Sequence, residues 1–213
     1  LYGCAQTVTV AEITPKHGVA FDVAVADGGA TVGEMARRSK AMAAINGSYF
    51  DIHKRSAITY LRQGRNLIDT TTTAELALRV TGAVRVHGRR VHIMPWNKGI
   101  ERRYRCHHGS TLASGHLLLY QGKGVLLRSS GMGFVIDKHP RSAIALTSRG
   151  TVLFVTVDGR HPGYAGGMNL IELRHFLQQL GCTDALNLDG GGSSTLWAKG
   201  FNASGVANYP CDN

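Results

Sequence analysis

Residues 169–194 read NLIELRHFLQQLGCTDALNLDGGGSS and contain the pattern that decides the fold. Asn169 with Glu172 three residues later has the spacing of a helix capping box, and Gly181 supplies a C-terminal stop. The apolar residues between them share one helical face, which predicts a helix over about 170–180: Leu170, Leu173, Phe176, Leu177 and Leu180. A strand, Ala185–Leu188, follows at once, so we expect the helix to pack on a sheet.

The remainder of the chain predicts many short strands and one more helix. Thr31 and Glu34 form a second capping box, which begins a short helix over about 32–40, and Ala41–Ile45 is predicted to be a buried strand. Glycine-containing turns predict these antiparallel pairs: Thr7–Thr14 with Val19–Ala26, Ile58–Arg62 with Asn66–Asp69, Val84–Val86 with Arg90–Met94, Leu117–Tyr120 with Val125–Leu127, Ala143–Thr147 with Thr151–Val157, and Ala185–Leu188 with Thr195–Lys199. The chain therefore reads as one α+β domain over residues 1–213, mostly antiparallel.

Composition and charge narrow the class of protein. The 213 residues are 43% hydrophobic and 18% charged, which is typical of a globular domain. No apolar run reaches the roughly 20 residues of a membrane span. The formal net charge of +10 suits an anionic partner. The basic residues are scattered, however, and no nucleic-acid-binding motif is present, so we expect no nucleic-acid partner.

The four cysteines, Cys4, Cys106, Cys182 and Cys211, lack the spacing of a metal site. They are either buried thiols or members of one or two disulfides, and we expect at least one disulfide, in an extracytoplasmic protein. The chain begins without Met, and residues 1–4 loosely resemble a lipobox. We therefore expect membrane association only through a lipid anchor. The oligomeric state is not readable from these patterns.

The glycine-rich segment after the last predicted strand concentrates the candidate chemistry. Asn187 and Asp189 alternate with Leu188 and so share one face of the strand. Three glycines and two serines follow, and their exposed N–H and hydroxyl groups suit an anion: Gly190, Gly191, Gly192, Ser193 and Ser194. The plain alternative is a surface turn with an aspartate cap.

Three other segments place polar residues beside strand ends or turns. They are Asn46-Gly47-Ser48-Tyr49-Phe50-Asp51, Pro140-Arg141-Ser142-Ala143-Ile144 and Val157-Asp158-Gly159-Arg160-His161. Arg141 has the fork geometry that binds phosphate or carboxylate. Each segment taken alone also fits an ordinary turn or strand start. Residues 96–111, which include Cys106-His107-His108, match no pattern.

Together these segments resemble the phosphodiester glycosidase family. The resemblance rests on residues 46–50, 139–144, 157–160, 167–170 and 187–195 and on the closing residues 205–210, so it spans about residues 40 to 213. It implies hydrolysis of the sugar C1–O bond of an α-glycosyl phosphodiester, or of a phosphorylated glycan, without a cofactor or metal.

The resemblance also implies roles for the candidate residues. Asp189 and Asp158 suit a carboxylate nucleophile or base near the cationic sugar carbon, and their separation decides between retention and inversion. Arg141 and the amides of Gly190–Ser194 suit the departing phosphate. Asn46 completes the catalytic set, and the remaining binding residues are expected to be Asn187, Gly47, Tyr49, Asp51, Gly159 and Arg160.

Two other functions remain open. The same scaffold could serve a glycan-binding or envelope-assembly protein without catalysis, because fold does not fix function. A metal-dependent phosphoesterase would instead use the aspartates as ligands. An enzyme, unlike a binding protein, should bring four residues together in one cleft: Asp189, Asp158, Arg141 and Asn46. A metal-dependent phosphoesterase should be sensitive to a chelator.

Overall fold

The computed structural model describes residues 3–127 and 132–211. The described strands are β1 (Val8–Ile13), β2 (Ala43–Ile45), β3 (Phe50–Asp51), β4 (Ser56–Ala57), β5 (Leu61–Gln63), β6 (Asn66–Asp69), β7 (Gly82–His87), β8 (Arg90–Pro95), β9 (Ser110–Ser114), β10 (Leu117–Tyr120), β11 (Lys123–Gly124), β12 (Arg141–Thr147), β13 (Val152–Val157), β14 (Cys182–Asn187) and β15 (Leu196–Ala198). The helices are α1 (Val32–Arg38), α2 (Ala74–Arg79), α3 (Lys98–Arg103), α4 (Met132–Ile136) and α5 (Leu170–Gln179). Mostly antiparallel pairing with few helices confirms the predicted α+β class.

The two predicted helices are confirmed, and both begin at the predicted capping boxes. In α1 the Thr31 side chain accepts the Glu34 N–H, and in α5 the Asn169 side chain accepts the Glu172 N–H. The sequence analysis missed α2, α3 and α4. Each has six residues or fewer, which is too short for an apolar stripe to recur.

Two antiparallel sheets and α5 form three layers. The six-stranded sheet has the order β1-β13-β12-β14-β10-β11, and the five-stranded sheet has the order β6-β5-β9-β7-β8. Successive residues of β12 point to opposite faces of the six-stranded sheet. Ala143 packs in the core between this sheet and α5, and Ile144 packs in the core between the six-stranded and five-stranded sheets.

Three of the predicted hairpins are confirmed in their pairing, and in a fourth only the first arm is confirmed. Their registers include Leu61↔Asp69, Val84↔Ile93, Leu119↔Gly124 and Ala143↔Val155. In the third of these hairpins the second arm, β11, comes earlier than predicted and replaces the 125–127 strand. Their turns are short, so the local sequence is enough to specify the partner.

The hairpin predicted between Thr7–Thr14 and Val19–Ala26 is wrong. Strand β1 pairs instead with β13, with Val8 opposite Val157, and residues 19–26 form no strand. The segment is held by single contacts, such as the Phe21 N–H donating to the Gly88 carbonyl at 2.7 Å. Alternation identifies a half-buried strand but does not specify which distant strand it pairs with.

The pairing predicted between Ala185–Leu188 and Thr195–Lys199 is also wrong. Strand β14 lies between β12 and β10, whereas β15 pairs with β2, with Leu196 opposite Ile45. A 3₁₀ turn over Gly191–Ser193 separates β14 from β15. The chain therefore leaves the six-stranded sheet after Asp189 and does not fold back on β14.

The prediction of at least one disulfide is wrong. All four cysteines are described, and no disulfide joins any two of them. Cys182 is buried in the core beneath α5, and the Cys106 sulfur lies 3.1 Å from Arg85 Nη1. Gln6 Nε2 donates to the Cys4 sulfur at 3.0 Å, and Arg160 Nη1 lies 3.7 Å from the Cys211 sulfur. Each of these three thiols therefore has a nitrogen donor as its neighbour.

Candidate active site

Asp189 lies where β14 leaves the six-stranded sheet. The preceding Leu188 N–H donates to the Ser142 carbonyl at 2.8 Å, which is the last backbone hydrogen bond between this segment and β12. The Asp189 N–H then donates to the Gly47 carbonyl at 3.0 Å. This change of partner brings the segment after β2 against the end of β14, although more than 140 residues separate Gly47 from Asp189 along the chain.

The glycine turn after Asp189 is packed against the chain that enters β12. The Gly190 N–H donates to Asp189 Oδ1 at 2.9 Å, and the Gly191 N–H donates to the Pro140 carbonyl at 3.0 Å. A Cβ at Gly190 would lie 2.8 Å from that carbonyl oxygen. Gly191 has a φ of +61°, which favours glycine. Close approach and backbone conformation thus explain two of the three glycines, and Gly192 completes the 3₁₀ turn.

Burial raises the pKa of the Asp189 carboxyl to about 6, against an ordinary value of 3.8. Hydrogen bonds from the Ser193 side chain and the Gly190 N–H oppose this rise, because they favour the ionised carboxylate. A carboxyl whose pKa lies near neutrality is suited to exchange protons or to attack as a carboxylate. No pKa shift of this kind could be deduced from the sequence alone.

Asn46 holds the site together through its amide. Its Nδ2 donates to the Asp189 carbonyl at 2.9 Å, and its Oδ1 accepts from Ser142 Oγ at 2.6 Å and from the Thr195 N–H at 3.1 Å. The residue is 8% exposed. Asn46 therefore positions Asp189 and both flanks of the turn, and its amide oxygen is already bonded within the protein.

Arg141 is only 2% exposed and is held by backbone carbonyls. Its Nε donates to the Met168 carbonyl at 2.9 Å, and its Nη2 donates to the Phe134 and Asp137 carbonyls, each at 3.0 Å. Burial lowers the pKa of the guanidinium to about 10, so it stays charged at neutral pH. The third guanidinium nitrogen of Arg141, Nη1, makes no hydrogen bond within the described residues. A fork-like grip on phosphate, as the sequence suggested, is therefore not the geometry of this side chain.

Tyr49 and Asn187 present buried polar atoms beside Asp189. A Cβ at Gly115 would lie 2.7 Å from the Tyr49 hydroxyl and 2.8 Å from Asn187 Nδ2, so all three residues meet. Burial and the Asp189 charge raise the pKa of the Tyr49 phenol well above its usual range. Within the described residues, neither the Tyr49 hydroxyl nor Asn187 Oδ1 has a hydrogen-bond partner. Such atoms are rare in native structures and suit contact with a ligand.

Asp158 directly follows β13 and binds the C-terminal segment. Its Oδ1 accepts from Asn208 Nδ2 at 3.1 Å and from the Tyr209 N–H at 3.0 Å, and the side chain is buried. Asn208 Nδ2 also donates to the Ser194 carbonyl at 2.9 Å. Asp158 is thereby connected to the glycine turn through Asn208.

Gly159 and Arg160 border the turn on the same side as Asp158. A Cβ at Gly159 would lie 2.8 Å from the Pro140 nitrogen, so the position requires glycine. Arg160 is exposed, has a φ of +62°, and places Nη2 3.2 Å from where a Gly191 Cβ would stand. The Ser194 hydroxyl is buried and, among the described residues, has no hydrogen-bond partner.

Among the described residues, the Asp51 side chain makes only local hydrogen bonds. Its Oδ1 accepts the N–H groups of His53 and Lys54, each at 2.9 Å, within the turn between β3 and β4. The Lys54 and His53 N–H groups hold the pKa of this carboxyl below its usual range, with the Lys54 bond the larger cause. Its contacts are those of a turn cap and do not join it to Asp189.

The sequence analysis missed three residues of this region. Ser142 bonds to Asn46, the His116 carbonyl accepts the Asn187 N–H at 3.0 Å, and the Phe134 ring stacks on the buried His116 ring at 5.5 Å. His116 and Phe134 lie in segments without a sequence motif. Ser142 lies within a segment that was singled out, but it was not assigned a role. Within the described residues, no group of three or more His, Cys, Asp or Glu could hold a metal ion.

Two concave regions lie on the surface of the described residues, and one of them adjoins the site. One, of about 360 Å³, is lined by Arg160, His161 and Tyr164 among others, and it adjoins the glycine turn through Arg160. The other, of about 540 Å³, is lined by residues such as Phe21, Gln63 and His87, and none of the site residues described above borders it. In the described part of the chain, no helix is long and apolar enough to cross a membrane.

Comparisons with known proteins agree with this architecture. A sequence model of the phosphodiester glycosidase family matches residues 39–213. The chain is 35% identical over 80 residues to mouse N-acetylglucosamine-1-phosphodiester alpha-N-acetylglucosaminidase, a match that covers 38% of the chain and 14% of the mouse protein. It is 41% identical over 63 residues to the SPbeta prophage-derived uncharacterized protein YomE of Bacillus subtilis, which covers 30% of the chain and 10% of that protein. The matches thus span a small part of these curated relatives.

Two solved structures share the fold. The zebrafish N-acetylglucosamine-1-phosphodiester alpha-N-acetylglucosaminidase catalytic domain, auto-inhibited by its pro-peptide, superimposes with a TM-score of 0.69 at 20% identity and covers 96% of this chain and 66% of that one. A hypothetical protein from Synechocystis has a TM-score of 0.58 at 17% identity, covering 95% of this chain and 54% of that one. At these identities the likeness concerns the fold alone.

Proposed function

The chain belongs to the phosphodiester glycosidase family, and from this premise we propose that it hydrolyses the sugar C1–O bond of an α-glycosyl phosphodiester. The products are a free sugar and a phosphomonoester. The observation that carries the proposal is the Asp189 carboxyl, whose pKa burial raises to about 6, at the end of a strand beside an anion-compatible glycine turn. Buried polar atoms of Tyr49 and Asn187, which have no hydrogen-bond partner in the described part of the chain, support a ligand site at the same place.

The chemistry of the substrate suits a site with one reactive carboxylate. A phosphate leaves more readily than a sugar alkoxide, because its second ionisation has a pKa near 6. As the C1–O bond breaks, its electron pair passes to the phosphate oxygen, and positive charge develops on the sugar ring. Asp189 then either attacks C1 or removes a proton from water that attacks C1. In either case the oxygen of water ends on C1.

The other candidate residues receive supporting roles in this proposal. Asn46 and Asp158 are positioning residues, because their side chains already bond to Asp189 and to the residues that hold the turn. Arg141 supplies a fixed positive charge from within the protein. Tyr49 and Asn187 contact the sugar. We keep an extracytoplasmic location as a prediction that rests on the family resemblance.

Hydrolysis in ¹⁸O-labelled water tests the proposal. A panel of α-glycosyl methyl phosphate diesters is incubated with the protein, and the products are analysed by mass spectrometry. We expect the label on the free sugar and none on phosphorus. Label on the phosphate would mean attack at phosphorus, and loss of turnover in a chelator would then favour a metal-dependent phosphoesterase. Binding of the diesters without turnover would favour a glycan-binding protein.

A further inference from the structure

The outer face of the five-stranded sheet carries a row of polar residues that the proposed reaction does not use. Arg62 of β5, Thr111 of β9 and Arg85 of β7 lie opposite one another, with the registers Arg62↔Thr111 and Arg85↔Thr111. Their neighbours along each strand pack in the core between the two sheets: Leu61, Leu112 and Val84. Because side chains alternate along a strand, the three polar side chains face away from that core.

The segment between α3 and β9 crosses this row and places a cysteine beside Arg85. The Cys106 sulfur lies 3.1 Å from Arg85 Nη1. The Tyr104 hydroxyl, which lies 3.1 Å from Thr111 Oγ1, also bonds to the sulfur. A guanidinium keeps its positive charge at any ordinary pH, so it favours the thiolate over the thiol. The Cys106 side chain is only partly buried and is therefore accessible to a small molecule.

The charge state of Cys106 follows from these contacts. Burial opposes its ionisation, but a backbone hydrogen bond at His108 and the Arg85 guanidinium outweigh burial and hold the pKa of the thiol below its usual range. In contrast, burial raises the pKa of the Cys182 thiol to about 11. The thiolate is the nucleophilic form of cysteine, so its surroundings favour reaction at Cys106 over reaction at Cys182.

A separate observation indicates a negatively charged ligand at the same place. Arg85 Nε is buried and has no hydrogen-bond partner among the described residues. Such an N–H is rare in native proteins and suits an anionic group that a ligand supplies. Beside it, Arg62 Nη1 lies 3.1 Å from His107 Nδ1. Within residues 3–127 and 132–211, no ion pair with an acidic side chain involves Arg62 or Arg85.

We propose that Cys106 is a thiol-modification site that forms a mixed disulfide with a small disulfide bearing carboxylates. The Cys106 thiolate attacks one sulfur of that molecule, a new S–S bond forms, and the old S–S bond breaks. Its electron pair leaves on the second sulfur as a thiolate, so Cys106 is oxidised and the attacked disulfide is reduced. Cys106 thereby loses its charge, and a carboxylate of the attached group replaces it beside Arg85. This inference does not depend on the proposed hydrolysis, and its test requires no turnover.

Two disulfides of opposite charge test the proposal. Oxidised glutathione has a net negative charge at pH 7, and cystamine carries two ammonium groups. The unmodified protein is incubated with each at pH 7, and the rate at each cysteine is measured by peptide mass spectrometry without reduction. We expect Cys106 to react with oxidised glutathione about tenfold faster than with cystamine. We also expect it to react with oxidised glutathione at least about tenfold faster than Cys182 does.

Variants of Arg85 test the role of its guanidinium. Arg85→Gln should slow the reaction of Cys106 with oxidised glutathione by about tenfold at pH 7, because less of the thiol is ionised. Arg85→Lys keeps the charge without the planar fork and should have an intermediate rate. Arg90→Gln, an exposed position of β8 in the same sheet, is the matched control and should keep the rate within about twofold. Thermal unfolding of each variant checks that it is folded.

The pH dependence of alkylation by iodoacetamide tests Cys106 without any substitution. We expect an apparent pKa below the roughly 8.5 of a free cysteine. Of the groups that face the sulfur, Arg85 stays charged, and burial raises the pKa of the Tyr104 phenol. Burial and the Arg85 charge lower the pKa of His92, opposite Arg85 in β8. None of these three therefore accounts for a transition near pH 8.

Four results would each overturn the inference. They are an apparent pKa at or above about 8.5, equal rates with the two disulfides, an unchanged rate in folded Arg85→Gln, and faster modification of Cys4 or Cys211 than of Cys106. Loss of the adduct in Cys106→Ser confirms where the reaction takes place.

Discussion

At the residue scale, the environment of Asp189 sets the pKa of its carboxyl group. Burial opposes ionisation of this carboxyl, and two hydrogen bonds only partly offset the burial. Asp158 is also buried, yet its Oδ1 accepts two N–H groups from the C-terminal segment. Two aspartates that look alike in the sequence, each at a strand end before glycine, therefore differ in what their carboxyl groups are available to do.

The raised pKa of Asp189 predicts an acidic limb in the pH profile. A nucleophile or base acts in its ionised form, so kcat/KM should fall about tenfold per pH unit below a pH of about 6 and level off above it. Ser193→Ala removes a hydrogen bond that lowers this pKa, so the limb should move to higher pH. A profile that instead falls as pH rises through 6 would show that Asp189 acts as an acid.

Asp189→Asn should abolish hydrolysis, because an amide can neither attack C1 nor take a proton from water, and the raised pKa of Asp189 predicts that the variant gains stability at neutral pH. The carboxyl has a higher pKa folded than unfolded, so the folded state binds its proton more tightly. Stability is therefore lost as the pH rises from about 4 to about 6, and above that the cost of ionising this carboxyl stays at roughly 3 kcal/mol. In urea unfolding at pH 7.5 the variant should have the higher midpoint, and the difference should vanish as pH falls towards about 4.

Asp184→Asn is the control for this prediction. Asp184 lies in the same strand, and its Oδ1 accepts the Gln121 N–H at 2.9 Å. We expect that variant to keep its activity and to gain no stability at pH 7.5. A lower unfolding midpoint for Asp189→Asn at pH 7.5 would mean that the Asp189 carboxylate is needed for the fold.

At the element scale, the glycine turn and the start of β12 form one packed unit. The turn accepts no added side chain at Gly190, because Pro140 contributes a backbone oxygen that cannot rotate away. The Gly191 N–H bonds to the same oxygen. The position of the Asp189 carboxylate thus depends on the contact between two loops from different parts of the chain.

Gly190→Ala should therefore displace the turn. Its Cβ would lie 2.8 Å from the Pro140 oxygen, so we expect a loss of about 1–3 kcal/mol in the free energy of unfolding. A displaced carboxylate should also lower kcat/KM by about 100-fold. Gly124→Ala in β11 is the matched control: its nearest neighbour, at 3.4 Å, is Cδ of the long Arg174 side chain. The control should unfold within about 0.5 kcal/mol of the unmodified protein. Equal behaviour of the two variants would contradict the proposed packing.

At the scale of the whole molecule, the two sheets and the net charge act together. The core between the sheets supports the end of β14 through Leu186 and Leu188, so the site lies on a rigid base. The formal charge of +10 surrounds this base with a positive field. Such a field favours the approach of an anionic substrate, and salt weakens it.

The net charge predicts a salt effect that depends on the substrate. Raising the ionic strength from about 0.01 M to 0.15 M shortens the screening length from about 30 Å to about 8 Å. We expect kcat/KM for a glycosyl phosphodiester to fall severalfold over this range, and the value for a neutral aryl glycoside of the same sugar to stay constant. The same salt dependence for both substrates would show that the charge does not attract substrate.

The sequence by itself determined the features whose signals are local. The capping boxes at Thr31 and Asn169 and the hairpins β7–β8 and β12–β13 depend on residues a few positions apart, and they were predicted correctly. The family resemblance singled out Asp189, Asn46 and Tyr49, but as separate segments. The positions of these residues in the sequence gave neither the distances between their side chains nor the pKa values of their side chains.

Only the tertiary structure decided how these segments meet. The partners of β1 and β15, the carbonyls that hold Arg141, and the places of His116 and Cys106 all depend on contacts between distant residues. The physical reason is that burial and hydrogen bonding are collective. A side chain such as that of Arg141 has the same chemistry in any sequence, but its availability to a ligand depends on which backbone groups surround it after folding.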